Sequence, residues 1–101
     1  MKTEAKLERD FQSKLIKELK REFPSCMVIK LDPTYIQGLP DLLVLHKDKW
    51  ATLECKRSAN AAKRPNQEHY VGRMNEMSFS TFVYPENKDE VIEQMRGVFG
   101  G

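Results

Sequence analysis

Residues 38–56 read GLPDLLVLHKDKWATLECK, two short β-forming runs that open on a Gly-Leu-Pro-Asp turn. Residues 41–45 (DLLVL) are apolar on both faces, as a central strand requires, and the polar residues 46–49 join them to residues 50–56 (WATLECK) as a hairpin. Alternation along the second run sends Trp50, Thr52, Glu54 and Lys56 to one side and Ala51, Leu53 and Cys55 to the other. Glu54 and Lys56 are therefore neighbours on one face of an interior strand. Charges there are costly unless paired or metal-bound, and Asp41, opening the partner strand, brings a second carboxylate to the same end. Two acids and a lysine in one place suit a divalent cation with hard oxygen ligands. Glu-x-Lys occurs four times in the chain, at Glu4/Lys6, Glu18/Lys20, Glu54/Lys56 and Glu86/Lys88. The first two fall on a predicted helix, where residues two apart do not face each other, and the last straddles a turn. Only the Glu54 copy sits on a predicted interior strand.

Outward from this hairpin the chain punctuates itself. Leu7, Phe11, Leu15, Leu19 and Phe23 recur every fourth position and predict an amphipathic helix over residues 4–22, with Thr3 as N-cap and Pro24 as the stop. Residues 26–31 (CMVIKL) read as a strand and residues 32–40 as a turn-rich change of direction. Residues 57–65 (RSANAAKRP) form an exposed connection, and a helix starting near Asn66 places Tyr70, Val71, Met74 and Met77 on one side. A strand over residues 79–84 (FSTFVY) is closed by Pro85. Asn87 and Glu90 have capping-box spacing, and Val91, Ile92, Met95, Val98 and Phe99 supply the apolar face of a final helix. The order α-β-β-β-α-β-α describes one mixed α/β domain over residues 1–101, with a single sheet of about four strands.

Composition narrows the functional classes. With 101 residues, 40% of them apolar, there is room for one core and one site. A net charge of +2, from 17 basic and 15 acidic residues, announces no nucleic-acid or membrane partner globally. The charge is local instead: residues 56–73 carry Lys56, Arg57, Lys63, Arg64 and Arg73 against Glu68 alone. Apolar runs fall far short of the about 20 residues a spanning helix needs, and the first eight residues lack a secretion signal, so a soluble cytoplasmic protein is expected, without a membrane partner. Cys26 and Cys55 stand apart and His46 and His69 stand alone, against a disulfide framework or a zinc site.

Taken together, Gly38-Leu39-Pro40-Asp41, the apolar strand, the polar turn and Leu53-Glu54-Cys55-Lys56 resemble the signature of the PD-(D/E)xK nuclease superfamily. With Glu8 in the first helix (LERDFQ) and Gln67 opening a later one (PNQEHY), the chain resembles more narrowly the virus-type replication-repair nuclease (VRR-NUC) family, over about residues 8–84. The resemblance implies a restriction-endonuclease-like α-β-β-β-α-β core with a mixed central sheet, here followed by a C-terminal helix. It implies a Mg²⁺-dependent DNA endonuclease, with Mn²⁺ as a substitute, selective for branched DNA in the manner of a Holliday-junction resolvase. Asp41, Glu54 and the backbone carbonyl of Cys55 would then ligate the metal, with Glu8 serving a second metal or a water. Lys56 would position the attacking water or stabilise charge on the phosphate, and Gln67 would hold Lys56 or the phosphate. Arg57, Lys63, Arg64 and Arg73 are the expected DNA contacts. Homodimerisation is implied too, and the apolar C-terminal helix lends it support. A phage or prophage protein acting in the host cytoplasm fits this size. The alternative expectation is a non-catalytic nucleic-acid-binding module on the same scaffold.

Overall fold

The computed structural model describes residues 3–100. The Thr3 hydroxyl accepts the Lys6 N–H at 3.2 Å and opens α1 (Glu4–Glu22), which stops at Phe23 before Pro24. Its four-residue stripe is used unevenly. Leu15, Leu19 and Phe23 are buried and Phe11 packs partly against the core, whereas Leu7 remains 42% exposed. Leu7 lies beside Arg57 and Pro85, residues that follow the ends of two strands, so the stripe outruns the sheet.

Four strands, β1 (Met27–Lys30), β2 (Leu42–His46), β3 (Lys49–Cys55) and β4 (Phe79–Val83), lie side by side in that order. β1–β2 and β2–β3 are antiparallel. β3 and β4 run parallel, joined through the crossover helix α2 (Pro65–Met77). The hairpin between β2 and β3 is tighter than the expected four-residue link, because His46 pairs with Lys49 and only Lys47 and Asp48 turn. Lys47 takes φ 58°, a left-handed conformation that lets a two-residue loop follow the strand twist.

The sheet has two unlike faces. On one, Leu42, Val44, Ala51, Leu53, Cys55 and Val83 meet α1 and α3 (Lys88–Phe99) in the main core. Each fully buried leucine there contributes about 2 kcal/mol. On the other, Thr52, Glu54 and Ser80 face α2, which packs over β3 and β4. Its Val71 is buried and Met74 half-buried, but Met77, expected on the same apolar side, is 64% exposed. Met27 and Ile29 of β1 share this second face, opposite Leu45 and Leu43, and stay exposed as well.

The C-terminal helix departs from expectation in two respects. Asn87 makes no side-chain cap on α3. Its Oδ1 accepts the Tyr84 N–H at 2.9 Å and its Nδ2 donates to the Phe82 carbonyl at 3.1 Å, satisfying the end of β4 instead. Of the apolar residues read as support for a dimer, Val91, Ile92, Met95 and Phe99 are buried in the protein's own core and Val98 packs against it partly buried. No helix among the described residues is long and apolar enough to cross a membrane.

Candidate active site

Asp41 stands where the turn enters β2. Its backbone carbonyl accepts the Leu31 N–H at 2.9 Å, and its Oδ2 accepts the Cys55 N–H at 2.8 Å, which holds the carboxylate against β3. Glu54 is 3% exposed; its Oε2 accepts from Gln67 Nε2 at 2.8 Å, while its Oε1 is buried with no hydrogen-bond partner. Lys56 follows β3, and its N–H continues the ladder to the Val83 carbonyl at 2.9 Å. Its buried Nζ donates to Gln67 Oε1 at 2.8 Å and lies 3.9 Å from Glu54 Oε2.

Gln67 is the node of this cluster for a reason local to α2. Pro65 opens the helix without needing an N–H partner, and Gln67, two residues on, reaches back to accept the Arg64 N–H at 3.1 Å. The same oxygen takes the Lys56 ammonium, and the amide nitrogen gives its proton to Glu54. Flipping the amide would break all three bonds, so its orientation is determined. Gln67 thus bridges Lys56 and Glu54.

The turn is locked to α2 through Gly38. It adopts φ +97°, and a Cβ there would lie 2.9 Å from the Asn66 carbonyl carbon. Gly38→Ala is expected to destabilise the fold by at least about 1 kcal/mol, because both the left-handed backbone and the collision oppose it. Thermal melting measures this, and an unchanged midpoint would refute the contact's importance. Asn66 had no signal in the sequence beyond its place after Pro65.

Burial, and then the neighbouring Asp41 charge, push the Glu54 pKa up to about 8, against a partial offset from Lys56. Asp41 is also raised by burial, with the Cys55 N–H pulling the other way. Glu8 is raised by burial and by Asp41, and lowered by Lys56 and Arg57. The three carboxylates therefore sense one another across the site. Burial pushes the Cys55 thiol up as well, which keeps it un-ionised and no competitor as a ligand. Gln12, one turn beyond Glu8, meets the Cys55 thiol rather than the acids.

No family model matches the chain, and no curated protein matches it. The donor set must speak for itself. Among the described residues no three His, Cys, Asp or Glu side chains are grouped tightly enough to enclose an ion. What is present is one close pair of carboxylates, with an unused oxygen on Glu54. Such a pair fits Mg²⁺, which keeps several waters and takes one or two carboxylates. It does not fit the closed nitrogen and sulfur cage of a structural zinc.

Two cavities flank the pair. One, of about 230 Å³, is lined by Gln37, Asp41, Glu54, Arg64, Asn66 and Gln67, among others. The other, of about 260 Å³, includes Glu4, Glu8, Lys56, Arg57 and Arg64. Of the four basic residues expected at an interface, the fold brings Arg57 and Arg64 to the site. Lys63 instead lies over the Phe82 ring, 4.9 Å from its centroid, and 6.0 Å from that of Tyr84. Arg73 is exposed in the third turn of α2 and lines neither cavity.

Proposed function

We propose that this protein is a Mg²⁺-dependent DNA endonuclease of the VRR-NUC kind, hydrolysing phosphodiesters in branched DNA as a homodimer. The observation that carries this reading is the buried, unpartnered Oε1 of Glu54 beside Asp41. Two carboxylates whose pKa values are both driven up by burial form a site built for positive charge, and fold stability alone gives no reason to keep them. Asp41, Glu54 and the Cys55 carbonyl are the proposed ligands of Mg²⁺, or of Mn²⁺ in its place. When bound, the cation supplies a Lewis acid that acidifies water and offsets charge on the phosphate.

The remaining work falls to the chain. Lys56, held by Gln67, points a fixed positive charge at the place where water attacks and phosphate oxygens gain charge. Glu8, which lines the same cavity as Lys56, accepts a hydrogen bond from a water rather than closing the ligand set. Arg57 and Arg64 grip phosphates on either side of the cut, and Lys63 and Arg73 add only distant attraction. Exposed Met27 and Ile29 are the apolar surface available to a second copy, in place of the C-terminal helix. A two-fold dimer would give two sites for two strands of a junction, and sedimentation equilibrium measures its mass. Action in the cytoplasm, a phage host's included, belongs to the same proposal.

Incubation with labelled four-way junctions, flaps and linear duplex in Mg²⁺, and again in Mn²⁺, tests the activity. No cutting of any substrate, with DNA still bound, would leave a non-catalytic binding module. Gln67→Ala is expected to lower the cleavage rate at saturating DNA about 10- to 100-fold, because Lys56 and Glu54 lose their common brace. DNA affinity in Ca²⁺ should hardly move, since both polar atoms of the Gln67 amide are already turned to Lys56, Arg64 and Glu54. Loss of affinity with an unchanged rate would assign it to the phosphate instead.

A further inference from the structure

α1 presents a second concavity one step around from Glu8. Leu7 and Phe11, with Lys14, Arg57, Ser58 and Pro85, line a groove of about 490 Å³ at the carboxyl ends of β3 and β4. That is the range of small-ligand pockets, about 300 to 1,000 Å³, at the end of a parallel pair where ligands commonly bind. Core packing does not explain Leu7 at 42% exposure.

The groove is continuous with the proposed active site. Arg64 lines both the cavity of Asp41 and Glu54 and the cavity of Glu8 and Lys56. Arg57 lines both the latter and the Leu7 groove. Three hollows are therefore neighbours, the first and second sharing Arg64 and the second and third sharing Arg57, and the last is the one lined by Leu7, Phe11 and Pro85 together. The charge around this third hollow favours an anion. Lys14 and Arg57 border it, and its acid, Asp10, is engaged by Lys6 at 3.3 Å. Arg57 is held at 3.1 Å by Glu4, whose side chain is 78% exposed, a pairing that a phosphate readily displaces.

We infer that this groove receives an unpaired nucleobase from the strand being cut, close to the scissile phosphate. The inference rests on the nuclease reading and deepens it. The base lies against Phe11, Pro85 and Leu7, while its phosphate meets Arg57 and Lys14, the combination of apolar platform and basic track that single strands require. A base stacked within duplex has no access, so the substrate must carry an unpaired nucleotide near the cut, as flaps and opened junction arms do.

The experiment moves a single abasic nucleotide along the unpaired strand of a flap, reading affinity in Ca²⁺ and cleavage in Mg²⁺. Wild-type protein is expected to lose about 10- to 100-fold in affinity at one position near the cut and little elsewhere. Leu7→Asn, at an exposed position, should lose a similar factor on intact DNA and nothing further on the abasic strand. Melting of Leu7→Asn within a few degrees of wild type confirms that the variant folds. Should it melt much lower, Lys14→Ala, on the same rim, takes its place in the same comparison. If wild type binds and cuts with no position-dependent loss, the groove takes no base and the inference fails alone. If wild type neither binds nor cuts DNA, the nuclease reading fails and takes the inference with it. A Leu7→Asn variant that changes the sedimentation mass while leaving the abasic effect intact would assign the groove to a second copy and overturn the inference.

Discussion

Glu54→Gln abolishes cleavage, with an expected loss of about 10³-fold or more, and at the same time stabilises the metal-free fold at alkaline pH. The first effect follows from removing one of the two charges that would hold the proposed cation, whose contribution to the transition state would be worth several kcal/mol. The second follows from the surroundings of Glu54. The carboxamide oxygen still accepts from Gln67, while its NH₂ can donate to Asp41, where wild type sets two buried acids against each other. Burial first, then Asp41, raises Glu54 from 4.5 to about 8. Between those values the folded protein keeps a proton that the unfolded chain releases. Stability therefore falls as pH rises through that window and is level above it. Melting of metal-free wild type should drop from pH 5 to 8, the variant should show a flatter profile, and Mg²⁺ should restore the wild type most at the alkaline end and displace a proton only below about pH 8. A Glu54→Gln protein that cuts DNA normally, or melts below wild type at pH 8, is incompatible with the proposed site.

Lys56→Met is expected to lower cleavage by about 10²- to 10³-fold, with DNA affinity in Ca²⁺ reduced far less. Methionine fills the same 7%-exposed space, and Gln67 Oε1 retains the Arg64 N–H, so the fold survives. What disappears is the ammonium 3.9 Å from Glu54, the cation nearest the proposed point of attack. Removing it also withdraws the partial offset to Glu54, so the pKa of the pair should climb, while Mg²⁺, relieved of a neighbouring positive charge, should be needed at no higher concentration than in wild type. Lys56→Arg should not restore the rate, because a planar fork cannot occupy the place of a compact ammonium beneath Gln67. Loss confined to affinity, with a salt slope reduced by about one and an unchanged rate, would make Lys56 a phosphate contact only.

Much of this site is legible in one dimension because β structure converts spacing into direction. Glu54 and Lys56 share a face by alternation, and the apolar run after Asp41 puts that acid at the mouth of the neighbouring strand. The four-residue stripe likewise places α1 at Glu4–Glu22 without reference to anything it touches. Local chemistry misleads where a side chain has two partners to choose from. Asn87 has the spacing of a helix cap yet turns back to the end of β4. Met77 continues an apolar side of α2 but no part of the core reaches it.

The alternation of β3, the helix boundaries and the Gly38-Leu39-Pro40-Asp41 turn are consequences of short-range geometry, and composition and order alone were enough to establish them. The fold supplied what depends on distance across the crossover. Gln67 meets Lys56 and Glu54 only because the parallel connection returns α2 over β3. Arg57 and Arg64 face the acids while Lys63 folds onto Phe82, though all three belong to one basic loop. The apolar face of the C-terminal helix is buried in the core because α1 leaves room for it on the same sheet face. Backbone periodicity acts within a few residues of sequence; the partner of a long polar side chain is whichever group the completed packing brings within about 3 Å.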